Sequence, residues 1–565
     1  MTRRKLAWVL IGALALTPML AACGDGEEAP ATTTATASAT SAASASAASG
    51  TPTATPLATP QAAPPRTGVI DVGVTPATLT IFAIDEGDLR SARPAVTVGD
   101  FDGDGIGDLL LGAPFGDGPD GETQDAGEAY VIFGARDLGG AIDLAQGEQD
   151  VTIFGAKPGD NLGYAVGAAD VNDDALDDII VAAPRSEGSI ATQRTDRGEV
   201  YVIFGRPNLA TTIDIEGGQP DLTVVGAEGF SLLGDSIATG DVNGNGIEDM
   251  VLGAPLAGRV VGTPPGGPRT ELGEVYVVLG SRTLSGSVAI AEHEQDFKIS
   301  GPGQFSELGD AVAVGDINND GTDDIVAVAE AGDPPGGTRS NAGEAFVVFG
   351  SASLTGITDT AQAQQDISIY GASADDALGF CASSGDINDD GVDDIVLVAQ
   401  RADAPSGDKE KCGVAYAIFG SPGPESTIDM LKGEQDLTVV GADAHDLLSS
   451  CSAGHDVNGD GIDDLIVGTG SASSVADVRN DTGRVYLKFG SAGLGGLLDL
   501  AAGSHDLILL GAEAGDRLGD GVAAGDVNGD GIDELIVVAS GADGPDNTRP
   551  DAGEIYVFTV AAAAR

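Results

Sequence analysis

The chain has 565 residues, with 88 Asp and Glu against 27 Lys and Arg, for a formal net charge of −61. It has no basic footprint with which to neutralise phosphates, which excludes nucleic acid as a partner. Its four histidines (His293, His445, His455 and His505) fall at unrelated places, and its single tryptophan is Trp8, so neither an imidazole-based active site nor stacking on sugars is favoured.

In chain order, residues 2–5 supply a basic n-region, residues 6–16 an apolar h-region, and Leu20-Ala-Ala-Cys23 has the form of a bacterial lipobox. Residues 1–22 therefore read as a lipoprotein signal peptide, with cleavage before Cys23 and acylation of its thiol. No later stretch approaches the ~20 apolar residues of a spanning helix, so the lipid is the expected membrane anchor and the cell envelope the expected location. Residues 23–67 are dominated by Ala, Thr, Ser and Pro. They cannot bury a core and are expected to form a disordered tether.

Residues 78–560 are organised by a nine-residue loop of the type Asp-x-Asn-x-Asp-Gly-x-x-Asp. It begins at Asp100, Asp170, Asp241, Asp316, Asp386, Asp456 and Asp526, with separations of 70, 71, 75, 70, 70 and 70 residues. A hard cation such as Ca²⁺ takes about six to eight oxygen ligands, and these loops offer them at close spacing. The side-chain ligands expected at positions 1, 3, 5 and 9 are Asp100, Asp102, Asp104 and Asp108; Asp170, Asn172, Asp174 and Asp178; Asp241, Asn243, Asn245 and Asp249; Asp316, Asn318, Asp320 and Asp324; Asp386, Asn388, Asp390 and Asp394; Asp456, Asn458, Asp460 and Asp464; and Asp526, Asn528, Asp530 and Glu534. Position 7 can add a backbone carbonyl from Ile106, Leu176, Ile247, Thr322, Val392, Ile462 or Ile532. Up to seven Ca²⁺ sites are expected. Site two, with Ala175 at the glycine position, and site three, with Asn245 at position 5, should be weaker. The acids at position 8, such as Asp323, Asp393 and Asp463, read as solvated or as neighbours of the ligands.

Each repeat carries four short apolar runs, exemplified by residues 163–169, 178–183, 199–204 and 221–225. They are β-branched and aromatic, bounded by Gly, Pro, Asn and Asp, and show no competing helical period. Four strands per unit and seven units predict an all-β, seven-bladed propeller of four-stranded antiparallel blades. Naming the strands A to D, the acidic loop joins A to B. The last repeat stops after its C strand, whereas residues 78–84 form a D-like run with nothing before it. That N-terminal strand is expected to pair with the C-terminal blade and close the ring. Cys381 and Cys451 occupy equivalent places in adjacent repeats. Cys381–Cys451, Cys381–Cys412 and free buried thiols all remain open.

Gly-Ala-Pro at 112–114 and 253–255, Leu162-Gly163-Tyr164, Leu378-Gly379-Phe380 and the acidic loops together resemble FG-GAP repeats, the units of the integrin α-subunit propeller and its bacterial relatives. The match extends over about residues 78–560, and departs from the pattern where strand B ends at Glu330, Gln400 and Gly470. The resemblance implies a calcium-dependent extracellular propeller acting in adhesion or protein recognition, with a protein or glycan on another surface as its ligand. The alternatives are a lectin-like propeller and, more remotely, a calcium-dependent polysaccharide lyase. No catalytic constellation is found in the sequence. The long B–C connections concentrate basic residues, and Arg194, Arg197, Arg259 and Arg269 are the candidate partner-binding set. The competing reading is that such cations balance neighbouring acids.

Overall fold

The computed structural model describes residues 68–89, 95–119, 121, 123–187, 196–227, 229–258, 272–303, 305–472 and 481–560. The signal-like segment, Cys23, the tether, Arg194, Arg259 and Arg269 lie outside the described residues.

Seven sheets, each with four antiparallel strands A to D, are built in the order of the chain. Blade four is representative, with strand A Leu308–Gly315, B Asp324–Ala329, C Glu344–Val348 and D Ile367–Tyr370. Strand B is buried along its whole length in every blade, as in Asp178–Ala183. Such a strand needs apolar side chains on both faces, and the run Ile179-Ile-Val-Ala-Ala183 supplies them. The A strands are rich in Ala, Val, Gly and Ser because they converge on the axis. Each packs against the A strand of the next blade, and the seventh packs against the first. The cores lie between blades. Val328 and Val347 of blade four, for example, pack with Leu397 and Tyr416 of blade five.

The seventh blade has A Leu518–Gly525, B Glu534–Ala539 and C Glu554–Phe558. Its fourth strand is Leu79–Phe82, antiparallel to C in the register Leu79↔Val557 to Phe82↔Glu554. Leu79 and Ile81 are fully buried there.

Each sheet also has a fifth strand, which the sequence pattern does not reveal. It comes from the C–D connection of the following blade and pairs in parallel with strand D, as Thr427–Asp429 does beside Ile367–Tyr370. These strands have only three or four residues, partly exposed, too few to show an apolar alternation. On blade six this place is taken by Gly68–Asp71, which pairs with Leu507–Leu510. The chain is thus ordered ahead of residue 78, and its first described segment contributes to two blades. Of the cysteine alternatives, the structure holds the Cys381–Cys451 disulfide, which joins the A strands of blades five and six, with Cys412 a buried free thiol.

Candidate metal centre

The seven acidic loops share one local architecture. Position 2 anchors each loop, since Phe101, Val171, Val242, Ile317, Ile387, Val457 and Val527 are all fully buried. The position-1 aspartate then gathers the turn. In loop six Asp456 Oδ1 accepts the Asp460 amide at 3.0 Å, and Asp460 Oδ1 accepts the Ile462 amide at 3.1 Å. The same pair of bonds recurs in every loop. The turn brings position 6 to positive φ, 88° at Gly461, where a Cβ is unwelcome. In loop two Ala175 is held at φ 71°, a strain of about 1–2 kcal/mol that glycine avoids.

Position 9 lies at the floor of each loop. Asp108, Asp178, Asp249, Asp324, Asp394, Asp464 and Glu534 are all buried. In loops one to six a glycine N–H just beyond strand C donates to the position-9 carboxylate, as Gly490 does to Asp464 at 2.9 Å. In loops two to seven the amide Nδ2 of the position-3 asparagine also donates to it. Burial pushes these acids up: to about 6 for Asp249, about 8 for Asp464 and about 7 for the other five. Loop one has Asp102 in place of the asparagine, and the carboxylates of Asp100, Asp102 and Asp108 come within 4.8 Å of one another. The donor set is oxygen only, with carboxylates crowded in a half-buried turn, and this fits a hard divalent cation.

The loops are tied to one another by a device that sequence reasoning missed. The position-8 carboxylates of Asp177, Glu248, Asp323, Asp393, Asp463 and Asp533 each accept the backbone N–H of the position-1 aspartate in the preceding blade, at 2.8–3.2 Å. Of the two readings of these acids, the structure favours neighbours of the ligands over solvated groups, and the ligand they hold is the first of the adjacent blade's loop. The seventh place in this ring is Gly107. A Cβ there would meet Val98 Cγ1 at 2.5 Å and the Asp526 carbonyl oxygen at 3.0 Å. Among the described residues, the backbone bond from Gly107 N–H to the Asp526 carbonyl, 3.0 Å, joins the two loops in its place.

A second set of ties involves the B–C connections. Arg339, Lys409 and Arg549 occupy equivalent positions. They donate to the carbonyls of Gly371, Gly441 and Ala83, and they pair with Asp429, Asp499 and Asp143 at the ends of the fifth strands, each at 2.7 Å. These cations balance acids of the frame. Arg479 holds the same place in the repeat and lies outside the described residues. Arg197 is half-buried, and its backbone N–H donates to the Ser186 carbonyl. The four histidines remain scattered. His455 Nδ1 is 3.5 Å from Asp533, His505 stacks edge-on to Tyr486, and His293 and His445 sit in turns at φ 63° and 68°.

Five segments match the FG-GAP repeat: residues 92–132, 162–203, 233–278, 449–487 and 518–558. They are blades one, two, three, six and seven; blades four and five have the same strand order. The chain is 32% identical over 215 residues to the phosphatidylinositol-glycan-specific phospholipase D of Mus musculus, an alignment covering 38% of this chain and 23% of that protein. It is 32% identical over 246 residues to integrin alpha pat-2 of Caenorhabditis briggsae, covering 42% of this chain and 17% of that protein. Each alignment thus spans about a quarter or less of the curated relative. A solved structure of BBS1N in complex with ARL6DN aligns over 85% of this chain and 97% of its own, with TM-score 0.41 and 9% identity.

Proposed function

We propose that this chain, an FG-GAP repeat protein with an integrin-α-like propeller, is a calcium-binding module that recognises another protein. The observation that carries the calcium reading is the arrangement of the loops. Seven copies of one oxygen-lined turn stand in a ring, each with a buried acid at its floor. Calcium would be held by positions 1, 3, 5 and 9 with the position-7 carbonyl, and would supply the positive charge that these crowded carboxylates lack. The position-8 acids would keep position 1 in place from the next blade.

Recognition is the reading favoured by likeness to the integrin relatives, and the lipid anchor at Cys23 would hold the propeller at the cell envelope. Within the B–C segments, Arg339, Lys409 and Arg549 belong to the frame. The proposed partner-facing set is therefore Arg194, Arg197, Arg259 and Arg269. The activity in the name of the phospholipase relatives is not assigned to this chain.

Calorimetric titration of the chelator-treated full chain should show saturable calcium binding. Occupancy at a hundredfold over Kd would stabilise the fold by roughly 2.7 kcal/mol per independent site. Asp460→Ala should remove one site. Absence of calcium binding would sink the proposal.

A further inference from the structure

Five of the seven C strands open with a buried or nearly buried glutamate: Glu128, Glu199, Glu274, Glu344 and Glu554. Four of them receive a hydrogen bond from the tyrosine two residues on, namely Tyr130, Tyr201, Tyr276 and Tyr556. In blade three a second donor is added. Lys298 Nζ lies 2.7 Å from Glu274 Oε1 and 6.0 Å from the centre of the Tyr276 ring.

Blade four lacks both donors. Phe346 stands in the tyrosine place, and Ser368 stands where blade three has Lys298, directly across from Phe346 as Lys298 is from Tyr276. Glu344 is only 4% exposed and has no hydrogen-bond donor among the described residues. In place of the missing side chains is a cavity of about 630 Å³, within the size range of ligand pockets, lined by Glu344, Phe346, Gln365, Ser368 and Tyr370. Gln365 gives its amide to Ser368 at 2.6 Å, and its buried Oε1 has no donor either. Among the described residues no Lys or Arg lines the cavity, whereas Asp333 and Asp366 do; Arg339 acts on Glu344 only from outside the lining.

The unmatched groups, Glu344 and Gln365 Oε1, are both acceptors, and they stand beside two aromatic rings and the carboxylates of Asp333 and Asp366. A buried carboxyl without a donor is costly, so the cavity calls for a ligand that brings donors and positive charge. Aromatic faces add attraction for a cation. Blade three shows the solution within the same molecule, where an alkylammonium sits against the glutamate and over the ring. We propose that the blade-four cavity binds a primary alkylammonium group through Glu344, in the manner of Lys298 on Glu274. Such a group is carried by a free diamine and by a lysine side chain of a partner.

The test uses the full chain in saturating calcium at physiological salt, so that loop carboxylates do not compete. It is titrated calorimetrically with 1,5-diaminopentane, with a lysine-bearing peptide and with pentanol. Saturable one-to-one binding of the diamine, the peptide or both is expected, with none for pentanol. Peptide binding alone would identify a partner's lysine as the source, and diamine binding alone a free amine. Glu344→Gln should weaken binding about tenfold or more, the scale of a charged hydrogen bond. Ser368→Lys should abolish it by filling the site from within, and should raise Tm. No binding of either amine, or binding that survives Ser368→Lys undiminished, would overturn the assignment.

Discussion

Replacing Cys381 and Cys451 with Ala opens a covalent loop whose ends are 70 residues apart in sequence. Closing a loop of that length restricts the unfolded chain, and chain-entropy arithmetic gives about 4.4 kcal/mol at 25 °C. The native ring has other ties at this junction, since the Ala453 N–H donates to Ser383 Oγ at 3.0 Å and the Asp386 N–H donates to the Asp463 carboxylate at 2.9 Å. The loss should therefore fall on the unfolded side and leave the folded structure in place. For a cooperative domain of roughly 490 residues, unfolding entropy near 2.1 cal/mol/K per residue converts this to a Tm shift of about 4 °C. Differential scanning calorimetry should find wild type lowered by that amount in reductant. The double variant should match reduced wild type and be insensitive to reductant. If alkylation shows the bond broken while Tm stays fixed, the loop-entropy reasoning fails. Labelling of Cys381 before reduction would remove its premise.

Burial, then the charge of Asp333, push Glu344 up to about 7, with Arg339 opposing. A carboxyl raised above its unfolded value costs stability as pH climbs from about 4.5 to about 7, so Glu344→Gln should gain up to about 3 kcal/mol at pH 8 and nothing near pH 4. Equal Tm differences at the two pH values would contradict this. Asp393→Ala should cost about 1–3 kcal/mol by leaving the Asp316 N–H without its carboxylate. Its local sign is faster hydrogen exchange at Asp316, in the preceding blade, and unchanged protection there would dispose of the latch. Ile81→Ala should cost about 2–5 kcal/mol in urea unfolding, as a buried strand residue of blade seven. A parent-like midpoint would show that the N-terminal strand contributes nothing.

The blade count, the four-strand pattern and the loop spacing were legible because each rests on local chemistry repeated seven times. The Asp and Gly positions of the loop leave a mark at fixed spacing, and Ala175 could be identified as out of place before its φ of 71° was seen. The fifth strands left no such mark. They are short and only partly buried, and they are held by backbone pairing with a D strand that lies elsewhere in the chain. The role of position 8 was hidden for a related reason: Asp393 looks like one more acid of loop five, yet its carboxylate serves loop four. The vacancy beside Glu344 becomes visible only when Phe346 and Ser368 are set against Tyr276 and Lys298, a comparison between blades rather than along one.

The offsets of these ties carry a consequence for architecture. The repeat has a period near 70 residues, whereas position 8 meets position 1 across 77 residues in four of the six latches, and 78 and 82 in the others. Arg339 meets Asp429, and Lys409 meets Asp499, across 90. Each offset exceeds one period, so no blade can satisfy its ties from within, and each leans on the blade that follows. In an open array the last blade would be left with unpaired groups and an exposed D edge, a template for association. Here Arg549 of blade seven reaches Asp143, 406 residues back, and its C strand pairs with Leu79–Phe82. Between the acidic loops of blades seven and one, the position-8 carboxylate latch is absent. Gly107 occupies that place because Val98 and the Asp526 carbonyl leave no room for a side chain. The junction at which the first and last described segments meet is thus held by strand pairing, the Arg549 tie and bonds from Gly107, Ala135 and Arg136 to backbone carbonyls of loop seven. Among the seven acidic loops, however, only loop seven has no neighbouring carboxylate behind its position-1 aspartate in the described residues. Calcium should therefore be held least rigidly at Asp526, and chelation should loosen blade seven before the blades that are latched on both sides.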